Sequence, residues 1–302
     1  PASVALLLVQ ANLHHLWRDG GPLILLFMLA VAVTMFAGVL ALLTFTKDNE
    51  LSQLVPVLVA TYIGGSVNFV AASQSLAVEQ PELVAAALAA DAVVGISYLV
   101  VLAAASGLAA LNYNPDTNSE IVVDNSDDST LPVFASLPIS LAAAAFIVAV
   151  AQALVWWTEL DSLFYLFIIT LSVLIANAFP AFLGRLTIAP KLGVSGMYLF
   201  FAVIGGSTQL SAISTMFLPA TGLAAFIVIV HALLFFIIGR ILKKDFATLI
   251  TVSNACILGP ATAAAVASSR GWSHLVALGT LCGVLGYVIA NFLIILLFPL
   301  LT

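Results

Sequence analysis

Charge is what this chain most lacks. Asp, Glu, Lys and Arg make up 7% of its 302 residues, whereas a soluble domain has roughly 25%. Hydrophobic residues account for 63%, and the mean hydropathy is +1.21. This composition excludes an ordinary soluble domain. Several apolar runs reach the ~20 residues needed to cross a bilayer, so the sequence predicts an integral, multi-pass protein, expected in the plasma (inner) membrane. We expect a lipid bilayer around it and no nucleic acid as partner.

Cysteines and catalytic motifs are also scarce. The two cysteines, Cys256 and Cys282, fall inside apolar segments, which is typical of small packing residues rather than a disulfide. No HExxH, CxxC or Ser-His-Asp arrangement stands out, and Gly64-Gly65 lacks the strand–helix context of a nucleotide loop. We therefore expect no enzymatic activity and no cofactor, apart from possible bound Na⁺.

Two interrupted apolar segments are the most informative feature present. The first contains Gly64-Gly65 and the second Gly259-Pro260, and the two breakers lie 195 residues apart. Breakers inside a bilayer leave backbone groups unpaired, which is tolerated only where the backbone is buried in protein or lines a wet cavity. A matched pair in two repeats is the best sequence pointer to the binding site of a secondary transporter.

The rest of the chain fits a pair of repeats. A polar, acidic stretch divides it, so we predict a first repeat at 1–110, a linker at 111–132 and a second repeat at 133–302. The offset of 195 holds over roughly 60 residues in this reading. Two spans of the second repeat have no counterpart, so about two N-terminal helices are expected to be missing. The predicted spans are 2–16, 22–45, 83–110, 133–158, 162–183, 193–215, 220–242 and 274–300, with interrupted segments at 51–76 and 248–269.

The distribution of Lys and Arg favours re-entrant hairpins over crossing segments. If both interrupted segments return to the face they entered from, seven of the eight cationic residues lie on one face; if both cross, the split is six to two. Hairpins also make the repeats inverted. The predicted fold is an all-α polytopic membrane protein, an inverted-repeat transporter with two re-entrant (or broken) helical hairpins meeting mid-membrane.

Asp91 is the strongest candidate for chemistry, because an Asp this deep in an apolar span usually faces a partner, a cavity or a cation. Together with Asn68 and Thr262 it is a possible Na⁺ ligand, since hard oxygens suit such ions. Hydrogen bonding between helices is the alternative role for all of these polar residues, and for His231 it is the favoured one over proton relay. The candidate substrate- and ion-binding residues are Gly64, Gly65, Ser66, Asn68, Asp91, Thr208, Gln209, Asn254, Gly259, Pro260 and Thr262.

The string Tyr62-Ile-Gly-Gly-Ser-Val-Asn-Phe-Val-Ala71, followed by Ala89-Ala-Asp91, resembles the membrane proteins of domain of unknown function family 819. The opening segment from Leu6 to Trp17 resembles the third helix of that family. The resemblance implies kinship with sodium/glutamate, citrate and bile-acid/sodium symporters, and with it elevator-type movement of a core against a dimerising scaffold, hence a homodimer. The second tip is Gly-Pro rather than Gly-Gly, so glutamate transport does not follow.

The leading hypothesis is therefore a cation-coupled (Na⁺ or H⁺) secondary transporter of a small organic solute, with an anionic one favoured, working by elevator-type alternating access. Two alternatives stay open. One is a non-transporting membrane sensor or assembly protein with a carrier fold, and the other is a channel.

Overall fold

In the computed structural model, α-helices form nearly all of the regular structure of residues 1–9, 11, 13–45, 49–76, 78, 80–110, 131–207 and 210–297, which are the residues the structure describes. A 3₁₀ turn, Asp161–Leu163, precedes the seventh helix. The helices are α1 (Ala2–Leu8), α2 (Leu13–Phe45), α3 (Asn49–Thr61), α4 (Val67–Ser75), α5 (Pro81–Ala110), α6 (Val133–Thr158), α7 (Phe164–Ala178), α8 (Pro180–Leu183), α9 (Ala189–Ser207), α10 (Leu210–Ile241), α11 (Phe246–Ile257), α12 (Pro260–Ser269) and α13 (Ser273–Leu297).

Within the described residues, six helices are long and apolar enough to cross a membrane. These stretches are Gly21–Phe45, Pro81–Gly107, Val133–Thr158, Ala189–Gly206, Thr215–Ile241 and Ser273–Ile295. They confirm the prediction of an all-helical polytopic membrane protein.

Some predicted boundaries differ from the observed ones. The span expected at 162–183 is broken after Ala178, because Phe179 precedes Pro180 and takes a non-helical conformation (φ −128°, ψ 50°). The first span ends at Leu8 rather than near residue 16, and α10 begins at Leu210 rather than near residue 220. The linker predicted at 111–132 lies almost wholly outside the described residues.

Both interrupted segments consist of two short helices that pack against each other, α3 with α4 and α11 with α12. The four arms have 13, 9, 12 and 10 residues. At 1.5 Å per residue they are about 14–20 Å long, well short of the ~30 Å hydrocarbon core. Asp245 begins the second segment as an N-cap, its carboxylate accepting from the Thr248 amide at 2.8 Å.

The buried apolar residues form two large clusters. The larger joins α2, α3 and α5 to α10, α11, α12 and α13, and so contains both segments and their flanking long helices. The smaller is built from α1, α6, α7 and the chain around α8, and it also includes Ala71 of α4 and Val288 of α13. Helices α4 and α13 therefore lie at the boundary between the two cores.

The packing partners of α2, α3 and α5 recur for α10, α11 and α13. Helix α2 packs on α3 as α10 packs on α11, and α3 packs on α13 as α11 packs on α5. Helices α2 and α10 also pack on each other and run antiparallel. From Thr34 to Phe45 along α2, the contacts move backward along α10, from His231 to Phe226.

Candidate functional site

The two breakers meet. The Gly64 amide donates to the Cys256 carbonyl at 2.6 Å, and the Cys256 thiol donates to the Tyr62 carbonyl at 3.2 Å. The break in each helix leaves backbone groups of that tip unpaired, and the other tip supplies hydrogen-bond partners for them.

Glycine is required at the meeting point for both conformation and space. Gly64, Gly65 and Gly259 have φ of 109°, 105° and 97°, which L side chains rarely adopt. A Cβ on Gly64 would lie 2.7 Å from the Gly286 carbonyl carbon, and one on Gly65 would lie 2.8 Å from the Leu258 oxygen. The candidate glycines of the two tips thus allow the backbones to touch.

Asp91 of α5 faces the start of α4. The Ser66 hydroxyl, at the N-cap of α4, donates to Asp91 Oδ2 at 3.1 Å. Asp91 is 8% exposed, and the fully buried Tyr62 hydroxyl is its close neighbour. That hydroxyl makes no hydrogen bond within the described part of the chain, so the Tyr62 hydroxyl and the Asp91 carboxylate are adjacent but not bonded. The partial positive charge of the α4 N-terminus favours a carboxylate here.

Asn68 lies on the opposite side of the first turn of α4 from Ser66. At 100° per residue, the two side chains are about 200° apart around the helix axis. Its Nδ2 donates to the carbonyls of Ile63 (2.8 Å) and Gly286 (3.2 Å), and its Oδ1 accepts from Asn291 Nδ2 (3.0 Å). This group joins the first tip to α13.

At the second tip, Asn254 and Thr262 join the two arms. The Thr262 hydroxyl lies 2.7 Å from Asn254 Oδ1 and 3.0 Å from the Gly259 carbonyl, and Asn254 Nδ2 donates to the Thr262 carbonyl at 3.4 Å. Pro260 is the first residue of α12, where its missing N–H costs no hydrogen bond.

His231 belongs to a buried hydrogen-bonded chain that joins four helices. The Thr34 hydroxyl donates to the Ala30 carbonyl, so His231 Nδ1, at 2.8 Å, must donate to Thr34. His231 Nε2 then accepts from Ser253 at 3.0 Å, and Ser253 accepts from the Tyr98 hydroxyl at 2.6 Å. Every member is satisfied, as the hydrogen-bonding role for His231 predicts.

The structure therefore distributes the predicted residues over adjacent groups. Asp91 pairs with Ser66, Asn68 pairs with Asn291, and Thr262 pairs with Asn254. The three possible Na⁺ ligands, Asp91, Asn68 and Thr262, thus belong to separate hydrogen-bonded groups. Thr208 and Gln209 lie outside the described residues.

Neither a role for Asn291 nor the Tyr62 side chain as a neighbour of Asp91 was predicted from the sequence. A signal for Asn291 exists, since an amide in a strongly apolar span needs a buried partner. Chemically, the region combines a buried carboxylate, amide and hydroxyl oxygens, and the N-termini of α4 and α12. Such groups can hold a cation and an anionic group close together.

The profile of the DUF819 family, described as "Protein of unknown function (DUF819)", matches residues 1–301. The chain is also similar to "Uncharacterized membrane protein YjcL" of Bacillus subtilis (strain 168). The two are 30% identical over 315 residues, covering 97% of this chain and 79% of the relative.

Proposed function

We propose that this chain, which belongs to the DUF819 family, is a cation-coupled secondary transporter of a small organic anion. It is a carrier and not an enzyme, it acts as a homodimer in the plasma membrane, and Na⁺ or H⁺ drives it. One observation carries the proposal: two interrupted membrane segments touch at their tips beside a buried carboxylate, Asp91.

Asp91 carries the coupling ion in this proposal. A carboxylate within a membrane span costs ~2.5–3.5 kcal/mol on insertion scales, which a bound cation or proton offsets. Ser66 already contacts the carboxylate and would share the ion. At the second tip Thr262 and Asn254 supply further polar atoms.

The anionic group of the substrate would bind at the N-termini of α4 and α12. Unpaired amides and the helix dipole favour negative charge at such ends. Because the tips are in direct contact, the substrate would lie beside them and not between them.

Elevator-type alternating access is supported by the two separate hydrophobic cores. The larger core contains both tips, whereas the smaller core shares only α4 and α13 with it. The helices around one core could therefore slide on those around the other along that boundary. The antiparallel contact of α2 with α10 supports inverted repeats, because a repeat axis along the membrane normal would make those helices parallel.

The test has two steps. Purified protein is screened by thermal shift against organic acids and amino acids, with and without Na⁺. Uptake of each stabilising compound is then measured in liposomes with imposed Na⁺ or pH gradients. Asp91→Asn should abolish gradient-driven uptake while its melting temperature stays within a few degrees of wild type. The matched control is Glu82→Gln, the same carboxylate-to-amide change in the first turn of α5, which should transport normally.

Three results would contradict the proposal. Asp91→Asn that transports like wild type, or that aggregates, would make the carboxylate structural. Ohmic conductance without saturation would indicate a channel. Protein that is stabilised by no solute and takes none up would favour the sensor or assembly protein.

A further inference from the structure

Asn291 carries a buried oxygen that has no hydrogen-bond partner among the described residues. The residue is 1% exposed, and its Oδ1 has no hydrogen bond within the described residues. Leaving such an acceptor unsatisfied is costly, because the oxygen loses its hydration without gaining a hydrogen bond. The position in α13 therefore calls for a donor or a cation that the described residues do not supply.

The neighbouring hydrogen bonds establish that the free atom is the oxygen. Asn68 Nδ2 donates to two carbonyls, of Ile63 and Gly286, so reversing that amide would place its oxygen against two acceptors. Asn68 Oδ1 consequently faces Asn291, whose Nδ2 must be the group that donates to it at 3.0 Å. Reversing the Asn291 amide would bring two oxygens to that distance.

From this arrangement we propose that Asn68 and Asn291 form a site for a dehydrated monovalent cation at the contact of α4 with α13, with Asn291 Oδ1 as a direct ligand. Asn68 Oδ1 and the Ile63 carbonyl, which belong to the same hydrogen-bonded group, each accept one side-chain hydrogen bond and have a second lone pair for an ion. These three oxygens are neutral and hard. They suit an alkali ion better than a divalent one, whose larger dehydration cost usually requires carboxylates.

This site is separate from the Asp91 group, because Ser66 and Asn68 project from opposite sides of the first turn of α4. It does, however, involve the first tip. Ile63 directly precedes Gly64, whose amide holds the second tip. A cation here would fix the first tip against α13, and its role in transport rests on the proposed function.

Binding of ²²Na⁺ to purified protein in detergent tests the site without requiring a substrate. Asn291→Ala should raise the Kd for Na⁺ at least tenfold. Asn291→Gln keeps an amide that can donate to Asn68 Oδ1 but displaces the free oxygen by one methylene, so it should also raise the Kd for Na⁺, by at least about threefold. Asn177→Ala is the matched control: Asn177 Nδ2 also donates to two carbonyls, at 2.9 and 2.8 Å, but in the smaller core, and its loss should leave the Kd unchanged.

Unchanged Na⁺ affinity in Asn291→Ala, or no saturable Na⁺ binding to wild type, would overturn the site and assign the buried oxygen to a water molecule. If Asn291→Ala does not give monodisperse protein, unchanged Na⁺ affinity in Asn291→Gln would overturn it equally. Neither result contradicts the proposed transporter. If Asn291→Ala binds Na⁺ normally, the proposed transporter still predicts loss of Na⁺ binding in Asp91→Asn. If wild type binds no Na⁺, it still predicts proton-driven uptake. Normal Na⁺ binding with no uptake of any solute would instead contradict the transporter and retain the site.

Discussion

The contact between the two tips predicts that Gly64→Ala is strongly destabilising. The substitution adds one methyl group where the φ of 109° disfavours any side chain. That methyl would lie 2.7 Å from the carbonyl carbon of Gly286 and 2.8 Å from the Tyr287 nitrogen. Both contacts are with backbone, which cannot rotate away as a side chain can, so the first tip or α13 must move.

The expected magnitude follows from these two effects. A residue held in an unfavourable backbone region costs about 1–3 kcal/mol, and overpacking of a buried position typically costs about 1–3 kcal/mol more. Movement of the tip would also weaken the bond from the Gly64 amide to the Cys256 carbonyl. A loss of roughly 2–6 kcal/mol corresponds to a decrease in melting temperature of at least about 4 °C, at 2–4 °C per kcal/mol.

Thermal unfolding of detergent-purified protein measures this, with Gly222→Ala as the control. Gly222 lies in the middle of α10, and a Cβ there meets nothing within 4 Å. The control should be neutral or slightly stabilising, because alanine favours a helix by about 0.5–1 kcal/mol over glycine. If both variants melted within a degree of each other, the tips would not be in close contact and the reasoning about the site would fail.

Two further predictions concern the buried chain and the hairpins. His231→Ala should lower stability by about 2–4 kcal/mol, since it leaves a cavity and removes the partners of two buried hydroxyls, and a loss below 1 kcal/mol would show that the chain is not intact. Single cysteines at the two outer ends of a re-entrant segment should react with a membrane-impermeant maleimide from the same side, and the two segments should react from opposite sides. Labelling of one segment from both sides would show that it crosses, and the native cysteines are buried and should add little background. The labelling positions are Gln53 and Gln74 for the first segment, and Lys243 and Ser268 for the second.

Several features could be predicted from sequence because local physics determines them. The long spans follow from apolar runs, so the helix at 133–158 was predicted at its observed bounds. The two breaks were predicted from Gly64-Gly65 and Gly259-Pro260, because glycine and proline disfavour the interior of a helix. The carboxylate at Asp91 is conspicuous in an apolar span, and its burial beside a polar partner was expected for the same reason.

Which polar groups meet could not be predicted, since it depends on how helices far apart in sequence are packed. Asn68 bonds Asn291 across 223 residues and His231 bonds Thr34 across 197. No local pattern encodes such pairs. Asp91, Asn68 and Thr262 were predicted to act together because they lie at matching or nearby positions in the two repeats. Two residues on one helical turn can nevertheless face opposite sides.

The sequence by itself determined that this is a multi-pass helical membrane protein with two matched interruptions, because hydropathy and helix breaking act within about 20 residues. Only the tertiary structure decided that the interruptions touch through backbone at Gly64 and Cys256, and that the Asn291 oxygen is unpaired within the described part of the chain. Both are consequences of close packing between distant helices, where the absence of a single Cβ or the orientation of one amide determines which atoms meet.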